Sequence, residues 1–175
     1  MAKRKGFGKN GIFLFIVLTV GLMYVIYHIY LYNAPRQSHY SHVSSINLEQ
    51  ESLGGIKLLQ SIESISPTPT PNNDIERYQY YTLDDKTTVA TMRGDDLIIL
   101  ISVYSDQSIK TSKGIGFDST EEDVLDAYGT SYYKRGEQGA KIIGYVDKIS
   151  HQNLEFWLHN HKVNMIRYSD SRTLF

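Results

Sequence analysis

Residues Gly11 to Tyr32 form a run of 22 with no Asp, Glu, Lys or Arg. As a helix, such a run is long enough to cross about 30 Å of hydrocarbon. Only basic charges precede it, at Lys3, Arg4, Lys5 and Lys9, an arrangement that predicts a cytoplasmic N-terminus. Tyr24, Tyr27, Tyr30 and Tyr32 crowd the far end, where amphipathic rings sit at headgroup level. His28 lies among them and reads as interfacial rather than as a proton relay. The run is long for a cleaved signal, and Asn33-Ala34-Pro35 is a poor cleavage site, so the expectation is an uncleaved signal anchor. Everything that follows is then expected outside the cytoplasm, with the C-terminal domain extracytoplasmic on a cell membrane.

That placement gives meaning to the charge. The formal net charge is −1. From Asn33 onward, however, 14 basic residues meet all 19 acidic ones, for a net −5. A mildly acidic domain does not suit a phosphate backbone, so nucleic acid is excluded as a partner. The absence of cysteine excludes disulfides, thiolate-bound zinc, thiol catalysis and a cysteine-borne lipid anchor.

Residues 33–45 are polar, contain Pro35 and read as a juxtamembrane linker in which His39 and His42 are solvated. A first module is expected over 46–110. It opens on an amphipathic pattern (Leu53, Ile56, Leu59, Ile62, Ile65), weakened by Gly54-Gly55. The proline run Ser66–Asn73 reads as a stiff extended loop. Strands are expected at Ile75–Leu83, Thr87–Arg93 and Leu97–Tyr104, the last apolar enough to be central. A second module follows over 111–170 and a short tail over 171–175.

The second module begins with the clearest local signal of the chain, Thr111 to Gly129. Ser119 with Glu122 fits a capping box, and Glu121, Glu122 and Asp123 suit the helix N-terminus. Val124, Leu125 and Tyr128 form an apolar stripe, and Gly129 is a stop. Strands are expected at Ala140–Asp147, Asn153–His159 and Lys162–Tyr168. Aligned on the first module, Ile75–Tyr81 sits where Ala140–Val146 sits, Gly94–Ile101 where His159–Ile166 sits, and Ser102–Asp106 where Ile166–Asp170 sits. The offset is about 65 residues, which suits a tandem duplication. The fold class is therefore α+β: a transmembrane helix, then two tandem modules, each a helix plus a three-stranded antiparallel meander.

Lys113, Gly114, Ile115, Thr120, Val124, Tyr128, Gly129, Lys162, Val163 and Ile166 form a pattern that resembles the small repeats of beta-lactamase-inhibitor-like and SmpA/OmlA-like proteins, as in membrane-anchored proteins of Gram-positive bacteria. The resemblance covers 111–170, and 46–106 by analogy. It implies a fold rather than an activity: mostly non-catalytic binding or assembly modules.

No catalytic site, cofactor site or metal site is assigned. G-x-S-x-G, H-E-x-x-H, the P-loop and the dinucleotide fingerprint are all missing from the sequence. The acidic residues Asp118 to Asp126 lack EF-hand spacing, and helix capping accounts for most of them. His159 and His161 read as a solvated turn; with His151 they offer a weak case for a metal-dependent hydrolase. The best candidate surface is aromatic: Tyr78, Tyr80, Tyr145 and Trp157, a platform for a protein partner at the cell envelope. Trp157 could equally fill the space between modules. The leading expectation is protein binding or scaffolding; the alternative is a ligand-sensing or cell-wall-sensing module.

Overall fold

The computed structural model describes residues 9–32, 36–65, 70–75, 77–84 and 86–172. Lys3, Arg4 and Lys5, the start of the linker, the prolines Pro67 and Pro69 and the last three residues lie outside them.

Helix α1 spans Lys9–Tyr32. Within it, Gly11–Tyr30 has a mean hydropathy of 2.4 and none of it is buried by the rest of the chain. It is long and apolar enough for a single-pass anchor. The linker departs from expectation. Arg36–His42 forms a short helix, α2, and His39 is buried with its ring stacked on Tyr133 at 5.5 Å. Val43 packs beside Tyr133 and Val146. The segment is thus a docked strap: its apolar side chains find an apolar corner of the domain, which a solvated spacer would leave open.

Eight strands form one antiparallel sheet in the order β1-β2-β3-β4-β8-β7-β6-β5. They are β1 Thr70–Ile75, β2 Tyr78–Thr82, β3 Thr87–Met92, β4 Ile98–Tyr104, β5 Tyr133–Glu137, β6 Ala140–Asp147, β7 Gln152–His159 and β8 Lys162–Asp170. Each half of the domain contributes four strands in a meander, not three. The two missed strands are the outermost. β1 lies in the proline run, where an edge strand tolerates a residue without an N–H, and it is irregular between Pro71 and Asn73. β5 alternates charge with Tyr133 and Gly136, a composition that hides a strand. The apolar β4 is central as expected and meets β8 at the seam of the halves, Ile101 opposite Tyr168 and Ser102 opposite Arg167.

One face of the sheet is covered. Helix α3, Glu121–Tyr128, buries Val124 and Tyr128 against it, while Leu125 is only half-buried. Its cap is Thr120 rather than Ser119. The Thr120 hydroxyl accepts from Asp123 N at 3.1 Å, and Asp123 Oδ2 accepts from Thr120 N at 2.7 Å. Asp118 takes a φ of 66°, so the chain turns there and helical geometry starts three residues later, at Glu121. Gly129, at φ 83°, ends the helix.

The expected first helix is not formed. Residues 46–65 are irregular apart from one 3-10 turn at Ile62–Ser64, because Gly54 and Gly55 take φ of 59° and 85°, which no helix accommodates. Of the residues of the pattern, Leu53, Ile62 and Ile65 still reach the core, Ile56 packs at its margin and Leu59 is exposed; Leu48 and Leu58 join the same cluster as Ile101, Val124, Tyr128, Phe156 and Tyr168. The two halves therefore share one continuous core. Glu51, 3 % exposed, ties them together. It accepts from Ser112 N at 2.7 Å and from the Tyr128 hydroxyl at 2.7 Å.

Candidate functional site

The opposite face of the sheet carries no helix except α2 at one corner. Strand alternation assigns its residues. Tyr145 pairs with Leu154 and Ile143 with Phe156, so these point into the core. Trp157 pairs with Ile142 on one side and Met165 on the other, and Met165 pairs with Tyr104. These point to the open side. A register row Tyr104–Met165–Trp157–Ile142 thus crosses the seam.

Trp157 is held from below. It is 7 % exposed, and its Nε1 donates to Glu155 Oε2 at 3.3 Å. The Arg135 guanidinium lies 5.4 Å from its ring centroid. Glu155 is fully buried, and Arg135 grips it through Nε at 3.1 Å and Nη2 at 2.9 Å. The Tyr133 hydroxyl donates to the same carboxylate at 2.7 Å and to Asn153 Oδ1 at 3.0 Å. Glu137 is a second partner of Arg135. Gly144 makes this possible: a side chain there would collide with the Tyr133 ring, which lies across it. Burial pushes the Tyr133 hydroxyl far above its ordinary value, reinforced by the negative charge of Glu155. Burial alone would lower the Arg135 value, but Glu155 and Glu137 outweigh it and hold the guanidinium firmly charged. The network is a charge-assisted clamp in low dielectric, and it fixes Trp157 in one place.

Beside Trp157 runs a groove of about 330 Å³ lined by Tyr104, Gln138, His159, Asn164 and Met165. Tyr104 is 56 % exposed. Two ring faces, a thioether and amides around such a groove suit apolar contact with a few polar fixings.

The four aromatics expected to form a platform do not all meet. Tyr145 is fully buried on the covered face, near Tyr128 at 5.2 Å between ring centroids; its parity on β6 points it to the core. Tyr78 and Tyr80 share the open face and pack edge to face at 6.4 Å. They sit on β2, four strands from Trp157 on β7, or roughly 19 Å at the usual strand spacing. Trp157 fills no space between modules: the sheet is continuous, so no such space exists. Tyr104 and Met165, which sequence reasoning passed over, complete the row. Their parity on β4 and β8 relative to Trp157 was the available signal, but it needs the register of the seam.

His151, His159 and His161 do not converge. His159 and His161 are exposed at the β7–β8 turn, where Asn160 and His161 take φ of 49° and 63°. His151 lies at the other end of β7, roughly 25 Å away along eight residues of strand. Among the described residues, no three His, Asp or Glu side chains gather as metal ligands. Comparison with family models, with curated proteins and with solved structures finds no match for this chain.

Proposed function

We propose that this chain is a single-pass membrane protein whose domain lies outside the cytoplasm and acts without catalysis, by binding a protein partner at the cell envelope on the open face of its sheet. The observation that supports this most is the row Tyr104–Met165–Trp157, set on the uncovered face and rigidified by the Arg135–Glu155 pair. Large rings that lose little entropy on binding are the residues that anchor interfaces. The groove beside Trp157 favours one second reading, in which the same surface takes a small ligand and the domain is a sensor.

The domain is further read as two copies of one unit. In both, an inner strand closes a four-stranded meander, and the match of Ile101 with Ile166 keeps core residue over core residue; the match of Ile75–Tyr81 with Ala140–Val146 does not, because it sets Tyr78 and Tyr80 of the open face over Ile143 and Tyr145 of the core. The match of Ser102–Asp106 with Ile166–Asp170 is one residue out of step. It equates Tyr104 on the open face with the fully buried Tyr168, and side chains alternate faces with every residue.

The test is site-specific photocrosslinking in cells from position 104, with the full chain in its own membrane. One discrete adduct, lost in Met165→Glu but retained with a photoprobe control at Ile149 removed, supports partner binding. Equal diffuse labelling from positions 104 and 149 would sink it. Trp157→Ala is a poor test on its own, since the ring is buried and its removal disturbs the clamp beneath.

A further inference from the structure

A second cavity, about 400 Å³, lies where the membrane helix meets the sheet. Its walls come from three elements: Tyr27 and His28 of α1, His39 and His42 of α2, and Tyr133 and Lys134 of edge strand β5. Tyr27 and His28 belong to the last turns of the membrane-crossing stretch. For a helix that crosses once, this level is that of the lipid headgroups, so the cavity opens there rather than into bulk water. No carboxylate is part of its lining. The nearest is Glu121, 3.8 Å from the Lys134 ammonium, but Glu121 binds Lys141 more closely, at 2.6 Å. Lys134 also lies 5.1 Å from the centroid of the Tyr132 ring and stays 43 % exposed. The cavity therefore pairs one ammonium and three imidazoles with tyrosine faces.

We propose that this cavity holds the headgroup of an anionic phospholipid of the outer leaflet. The phosphodiester would take hydrogen bonds from Lys134 and the histidines, and the glycerol and first methylenes would lie against Tyr27 and Val43. A zwitterionic headgroup fits less well: its ammonium would meet Lys134 and find no carboxylate. The inference rests on the membrane-crossing helix and not on the partner surface around Tyr104 and Trp157, although Tyr133 of the cavity wall bonds the same Glu155 carboxylate as Trp157. It assigns α2 a role that a spacer would not have: the strap forms one wall of a lipid site and so sets the domain against the bilayer.

The experiment uses the full chain in detergent, read by native mass spectrometry with phosphatidylglycerol and phosphatidylcholine added in equal amounts. The expected result is a one-to-one phosphatidylglycerol adduct preferred over phosphatidylcholine. Lys134→Gln should weaken the adduct by about fivefold, the usual worth of one cationic contact at a lipid surface, and His42→Ala, which removes a ring N–H from the cavity wall, should weaken it by a smaller factor. Lys110→Gln, which lines no part of the cavity, should leave it unchanged. A photoreactive phosphatidylglycerol should label the peptides around 38–43 and 132–134, a readout that does not depend on any variant folding. Equal retention of both lipids, or undiminished phosphatidylglycerol binding in both cavity variants, overturns the proposal. Displacement of the lipid by millimolar inorganic phosphate would assign the cavity to a free anion and overturn it too.

Discussion

Glu155 shows how much one residue can hide. Its parity places it on the open face beside Trp157, and alternation reads that much correctly. Its full burial was not legible, because its partner Arg135 lies 20 residues earlier on a strand that charge disguises as a loop. Removing one member of a buried pair leaves a charge unpaired in low dielectric. Glu155→Ala should therefore cost about 3–5 kcal/mol in a denaturant melt. Replacing both members, with Arg135→Met and Glu155→Leu, should cost far less, since an apolar substitute removes the desolvation penalty along with the attraction. If the double variant is as unstable as the single one, the pair does not stand alone energetically. Gly144→Ala makes the companion case. The added methyl would drive the Tyr133 ring off the sheet and break both of its hydrogen bonds, so a loss of about 2 kcal/mol or more is expected.

Among the elements, α3 was the most legible. Its stripe, its acidic start and its glycine stop were all present, and only the cap lay off by one residue. Thr120→Ala should cost about 1 kcal/mol, whereas Ser119→Ala should cost less, because its hydroxyl accepts from Gly116 N in the preceding turn and not from the helix. The segment 46–65 is the reverse case. Apolar periodicity found Leu53, Ile62 and Ile65 but also chose the exposed Leu59 and missed Leu48, because two adjacent glycines at positive φ make the segment enter the core from loops. The strap was illegible, because it docks on residues about a hundred later: the Tyr40 hydroxyl donates to Asp147 O at 3.2 Å, and the chain that continues the strap to Leu48 is held by the Asp147 carboxylate. Asp147 Oδ2 accepts from Leu48 N at 3.0 Å, and Oδ1 accepts from Ile149 N and Ser150 N at 2.9 and 3.1 Å. Burial would raise its pKa, but these backbone bonds outweigh that and hold it below the ordinary carboxylate value. A depressed folded value means that the strap's stabilisation is complete above the unfolded pKa of about 3.9 and is lost as pH falls through the folded one. Protection of the Leu48 amide, relative to its intrinsic exchange rate at each pH, should fall below about pH 4 in the native protein, and should be low already at neutral pH in Asp147→Asn. Unchanged protection in that variant would show that Ile46 N, bonded to Val146 O at 2.8 Å, holds the strap unaided.

At the scale of the whole molecule, the anchor and the α+β class could be read from composition and pattern, while the joining of both halves into one sheet could not. Nothing local in β4 or β8 announces that they pair with each other; β4 is apolar but for Ser102, whereas β8, KVNMIRYSD, is no more apolar than β6 or β7. The proposed topology is checked by protease treatment of intact cells after removal of the wall. A C-terminal tag should be digested while an N-terminal one survives, and a protected C-terminus would reverse the orientation.

The position of β8 in the sheet has a consequence for how the protein is made. Of the eight strands, the one that closes the seam is the last to leave the ribosome. Until it arrives, β4 offers an unpaired apolar edge and β7 another, and neither can be completed by anything synthesised earlier. The completion of the sheet is thus timed by its last strand. A chain ending at Asn160 should be trapped by quality-control proteases rather than accumulate as a stable half.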